Sequence, residues 1–73
     1  MRPFAENLFH MRYDRDLTVA ALSKLSGVHA NTIYQYETDR VAPSLYKAMQ
    51  IADALGVSID KMCVTNHEPS DSN

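Results

Sequence analysis

The sequence predicts an all-α fold, a compact bundle of five short helices, and three observations lead there. The chain has 73 residues, and an all-helical bundle is the least demanding way for so short a chain to close an apolar core. Apolar residues recur at spacings of three and four, the repeat that gathers them onto one face of a helix. Between these stretches stand residues that start and stop helices: Thr18, Ser44 and Ser58 as N-caps, Gly27 and Gly56 as terminators.

Pro3 suits the first turn of the first helix, where a missing backbone N–H costs nothing, and Phe4, Leu8, Met11 and Arg12 mark one face through Arg15. Thr18 caps a short second helix over 19–25, with Leu22 and Leu25 three residues apart. Ser26-Gly27 breaks it, because glycine tolerates the left-handed backbone of a tight turn, and Val28 re-enters as a buried plug. The third helix covers 30–38, with Ile33 and Tyr36 inward and Asn31, Tyr34, Gln35 and Thr38 on the opposite, polar and uncharged face. Residues 39–43 read as a loop. Ser44 then caps a fourth helix in which Leu45, Ala48, Met49, Ala52 and Leu55 repeat at helical spacing, with Met49 assigned to the core, and Gly56 ends it. Ser58 precedes a short fifth helix over 59–62, whose Asp60 lies near the positive helix end. Beyond Val64 the composition turns polar, so the folded domain is 1–63 and residues 64–73 are expected to have no fixed structure.

Hydrophobic residues make up 45% of the chain and charged residues 22%, the balance of a globular domain. No apolar run is long enough to span a bilayer and no signal-peptide core follows Met1, so a cytoplasmic location is expected. The single cysteine, Cys63, cannot form an internal disulfide and reads as an inert small hydrophobe. His10, His29 and His67 share no ligand spacing, so neither metal nor other cofactor is expected. Nor can a nucleophile, a base and an orienting group be assembled from so few candidates, which argues against an enzyme with a small-molecule substrate. Seven Lys and Arg stand against nine Asp and Glu; with Glu68 and Asp71 assigned to the tail, residues 1–63 carry seven of each sign. A neutral folded part implies weak non-specific attraction to a polyanion and a shallow salt dependence.

The most informative pattern runs from Leu17 to Glu37. A small residue stands at Ser23, glycine four later at Gly27, and a β-branched apolar residue six further on at Ile33. Each fits a helix-turn-helix: the small residue lets two helices cross closely, the glycine makes the turn, and the apolar residue pins the second helix to the core. The stretches Leu-Ser-Gly-Val (25–28), Asn-Thr-Ile-Tyr-Gln-Tyr-Glu (31–37), Ala-Pro-Ser-Leu (42–45) and Ile-Ala-Asp-Ala-Leu-Gly-Val-Ser-Ile-Asp-Lys-Met (51–62) come in a telling order. From about Leu8 to Met62 the chain resembles the Cro and phage-repressor-like, or xenobiotic-response-element, helix-turn-helix proteins.

That resemblance implies a lambda-repressor-like bundle whose third helix lies in the major groove, acting as a sequence-specific transcriptional regulator, a repressor, and as a homodimer on a palindromic operator. Its base-reading positions fall on Ala30, Asn31 and Gln35. Asn and Gln can pair with adenine N6 and N7, and an alanine methyl can pack on a thymine methyl, so an A·T-leaning half-site is expected. Phosphate contacts fall on Thr18, His29, Thr32, Tyr34, Arg40 and Lys47. Arg12 and Glu37 match a family ion pair that orients the first and third helices. Val57, Ile59 and Met62 match the C-terminal region through which relatives pair, and serve equally well as core. Val19 stands where many relatives carry a phosphate-binding Gln, and His29 where Ser or Thr caps the third helix. The neutral charge and Val19 also suit an alternative, a protein–protein module such as an antitoxin or anti-repressor on the same fold.

Overall fold

The computed structural model describes residues 2–64, and within them the chain forms α1 (Pro3–Asp14), α2 (Val19–Ser26), α3 (Ala30–Glu37), α4 (Leu45–Leu55) and α5 (Ile59–Met62). Residues 65–73, and with them all but the first residue of the expected polar tail, lie outside the described residues. No helix in the described part is long and apolar enough to cross a membrane.

The caps act where expected, with one difference. Thr18 Oγ1 accepts from Ala21 N at 3.0 Å and Ser44 Oγ accepts from Lys47 N at 3.2 Å, each satisfying an amide the helix itself leaves free. Ser58 occupies the N-cap of α5 without a side-chain bond. Gly27 (φ +77°) and Gly56 (φ +74°) close α2 and α4 in the left-handed conformation. A Cβ at residue 56 would meet nothing within 4 Å, so Gly56→Ala isolates the backbone penalty. Thermal unfolding should show a loss of about 1 kcal/mol, or roughly 4–8 °C.

Leu8, Leu22, Val28, Ile33, Ile51 and Met62 form the centre of the core, each essentially inaccessible. Phe4 and Tyr36 meet edge-on with centroids 6.2 Å apart, seating the start of α1 against α3. Two expectations need correction. Met49 is exposed, as are Leu45 and Leu25, and the inward face of α4 is Ala48, Ile51, Ala52 and Leu55. Cys63 is also exposed rather than packed. Met62 lies wholly inside the core and is unavailable to a dimer interface, while Val57 and Ile59 are half-buried and packed against that core.

Two polar clamps tie the first and last helices to the rest of the bundle. Arg2 Nη1 meets Asp39 Oδ1 at 2.7 Å and Arg2 N donates to Oδ2 at 3.3 Å, fastening the start of α1 to the loop after α3. Buried Asn7 donates from Nδ2 to the carbonyls of Met62 (2.9 Å), Val64 (2.7 Å) and Lys61 (3.3 Å), supplying acceptors at the end of α5 with a donor.

Candidate nucleic-acid interface

α3 is held on one side and open on the other. Ile33 and Tyr36 fix it to the core, whereas Asn31, Tyr34 and Thr38 are exposed and Gln35 is half-exposed beside them, one turn on from Asn31. Ala30 begins the helix, half-buried, and Thr32 flanks Gln35 three residues before it. Thr38 Oγ1 donates back to Tyr34 O at 2.9 Å, which satisfies the last turn without an outside partner. The outward face of α3 therefore offers two amides and a phenol with no charged group among them.

The orientation of α3 against α1 rests on a bidentate ion pair. Arg12 Nε donates to Glu37 Oε2 at 2.6 Å and Nη2 to Oε1 at 3.0 Å, while Nη1 donates to Leu17 O at 2.7 Å. With side chains 14% and 7% exposed, both groups have left bulk water and compensate each other. The hydrogen bonds to Glu37 are the main reason the Arg12 guanidinium is held above its ordinary pKa, against the smaller opposing effect of burial. Leu17 lies just ahead of Thr18, so this one guanidinium joins α1, the entrance to α2 and the end of α3.

A helix-turn-helix family model matches residues 11–62, more than half of the chain. The chain belongs to the helix-turn-helix family, of the xenobiotic-response-element type. Among solved structures, a helix-turn-helix family transcriptional regulator from Vibrio cholerae is 26% identical with a TM-score of 0.80, over 84% of this chain and 34% of its own. Apo-HppE is 28% identical with a TM-score of 0.75, over 96% of this chain and 39% of its own. A hypothetical transcription factor from Neisseria, 20% identical with a TM-score of 0.84 over 89% of this chain and 75% of its own, shows the shared fold alone. This helix-turn-helix protein spans well under half of the Vibrio cholerae regulator and of HppE. No curated protein matches it.

The remaining candidates of this helix-turn-helix protein sit near helix beginnings. Thr18 caps α2, and because its oxygen accepts from Ala21, its O–H stays available to donate. His29 holds the N-cap position of α3, exposed and without a side-chain cap bond. Arg40 is exposed in the loop before α4, and Lys47 is half-buried in the first turn of α4. Val19 packs against the core. Among the described residues Lys24, Arg40, Lys47 and Lys61 make no ion pair, whereas Arg2 and Arg12 are committed to Asp39 and Glu37, and Arg15 to the carbonyls of Leu55 and Met11. No three His, Cys, Asp or Glu side chains of the described part converge. Asn7 was missed as an architectural residue. It lies three residues after Phe4 and four before Met11, on the apolar face of α1, and a lone amide there was the available signal.

Proposed function

We propose that this protein is a sequence-specific double-stranded DNA-binding regulator, a repressor, that reads the major groove with α3 and carries out no catalysis. The observation carrying this reading is the uncharged polar face of α3, exposed along Asn31, Tyr34 and Thr38 and fixed in orientation by the Arg12–Glu37 pair. Asn31 and Gln35 pair with adenines and the Ala30 methyl packs on thymine. Thr18, His29, Thr32, Tyr34, Arg40 and Lys47 set the register through phosphates, with the N-termini of α2 and α4 contributing backbone dipoles. The partner is a palindromic operator bound by a homodimer in the cytoplasm.

Selection from random duplexes at low salt tests this. An enriched, two-fold symmetric, A·T-containing site is expected; no enrichment would remove the reading and leave the protein-partner module. Because three of the arginines are engaged internally, affinity on the enriched site should fall only gently with salt. A slope of log K against log salt of about −2 to −3 per protomer corresponds to two or three phosphates matched by cations, and fluorescence anisotropy over a salt series measures it.

A further inference from the structure

We infer that the cleft between α1 and the end of α3 binds a small alkylammonium ligand, held by the rings of Phe9 and His10 and the carboxylate of Glu6. The cleft has a volume of about 320 Å³ and is lined by Ala5, Glu6, Phe9, His10 and Glu37. Ala5 and Glu37 are buried and form its floor, whereas Glu6, Phe9 and His10 are exposed on α1 and form its walls. Glu6 precedes Phe9 by three residues and His10 by four, so the three side chains are neighbours on the helix surface. Asn31, Tyr34, Gln35 and Thr38 line no part of the cleft, which is therefore distinct from the DNA-reading face. The inference goes beyond the DNA-reading proposal and does not rest on it.

The ligand class follows from the walls and from charge. The Phe9 and His10 rings meet at 74° with centroids 5.4 Å apart, two sides of an aromatic corner. Tyr13, one turn further on, stacks on Phe9 with centroids 5.9 Å apart and planes 16° apart, and braces that ring. An aromatic face attracts a cation, and apolar walls accept the methyl or methylene groups around it; a hydrated anion gains neither. The carboxylates set the same sign. Glu37 is neutralised by Arg12, whose guanidinium lies 5.6 Å from the Phe9 centroid, while Glu6 makes no ion pair among the described residues. With His10 neutral, one negative charge is left at an otherwise apolar cleft. Size separates a free ligand from a peptide. Ala5 to His10 spans about 7.5 Å along the helix, the length of only about two extended residues, and the volume is at the low end for small-molecule sites.

Choline and its uncharged carbon isostere dimethylbutanol, in which a tert-butyl group replaces trimethylammonium, test the site when each is titrated into the isotope-labelled full chain. Amide NMR shifts at constant ionic strength and about pH 7.5, above the ordinary imidazole pKa, report binding. Choline is expected to bind with a Kd of about 1 mM, at least about tenfold tighter than the isostere, with shifts concentrated from Ala5 to His10 and around Glu37. Glu6→Gln and Phe9→Leu, both at exposed positions, should fold as wild type and weaken choline binding about tenfold while leaving the isostere unchanged. Equal affinity for choline and the isostere, shifts away from α1, or variants that bind choline like wild type would overturn the site. A wild type with no saturable shift up to about 20 mM choline likewise removes it.

Discussion

Arg12→Ala is expected to destabilise the protein by about 3 kcal/mol, the low end of what removing one partner from a buried ion pair costs. The loss comes from Glu37, left 7% exposed with a carboxylate that no longer has its two donors, and from the carbonyl of Leu17, which loses the third. For a chain of this size that corresponds to a fall in Tm of at least about 12 °C, measured by far-UV circular dichroism. Arg12→Met with Glu37→Met should recover most of the stability, because well-packed apolar side chains replace a buried pair at little cost. The recovered double variant separates fold from function: it removes the link between α1, α2 and α3 without unfolding the bundle. The pH dependence follows from the raised pKa of Arg12. A group raised on folding stabilises below its unfolded pKa and loses that contribution only as pH rises through the folded one. The Arg12 contribution is thus flat across neutral pH and disappears only in strong alkali.

Asn7→Asp should be comparably damaging, although it changes little in shape. The donor shared among the carbonyls of Lys61, Met62 and Val64 becomes an anionic acceptor facing the same three oxygens, in a residue only 2% exposed. Burial and the surrounding oxygens both disfavour the charge, and a loss of about 3 kcal/mol near pH 7 is expected. The sign of its pH dependence is opposite to that of an ordinary ion-paired carboxylate. With the folded pKa raised, the variant is least penalised below the unfolded aspartate pKa, where the carboxyl is a donor again, and the penalty grows as pH rises through the folded value. Urea unfolding of variant and wild type across that interval reads the difference. A gap independent of pH would mean that the Asn7 donor is not what fastens α5.

The helices were legible because their ends are written in local chemistry. Thr18, Ser44 and the two left-handed glycines need no tertiary information to act, and three of the five helices begin directly after the N-cap the sequence offers, Thr18, Ser44 or Ser58. The inward face of α4 was less legible for a physical reason. Leu45, Met49 and Ala52 form one apolar stripe and Ala48, Ile51, Ala52 and Leu55 an adjacent one that shares Ala52, so both satisfy helical spacing. The packing of α4 against α2, where Gln50 reaches Ser26, and against α5 decides which stripe turns inward. The candidate site was legible where it is local to α3, whose polar face follows from Asn31, Tyr34, Gln35 and Thr38. It was not legible where distant segments meet: Arg2 with Asp39 and Asn7 with the end of α5 are contacts across 37 and 54 to 57 positions.

The most direct test of α3 as the reading element is equilibrium binding of wild type, Asn31→Ala and Gln35→Ala to the enriched duplex and to copies changed one base pair at a time. Each variant is expected to lose about 1–3 kcal/mol of discrimination at one base pair of the half-site, roughly 5- to 150-fold, and to keep its preferences elsewhere. Variants that bind with the wild-type preference at every position would contradict major-groove reading by α3.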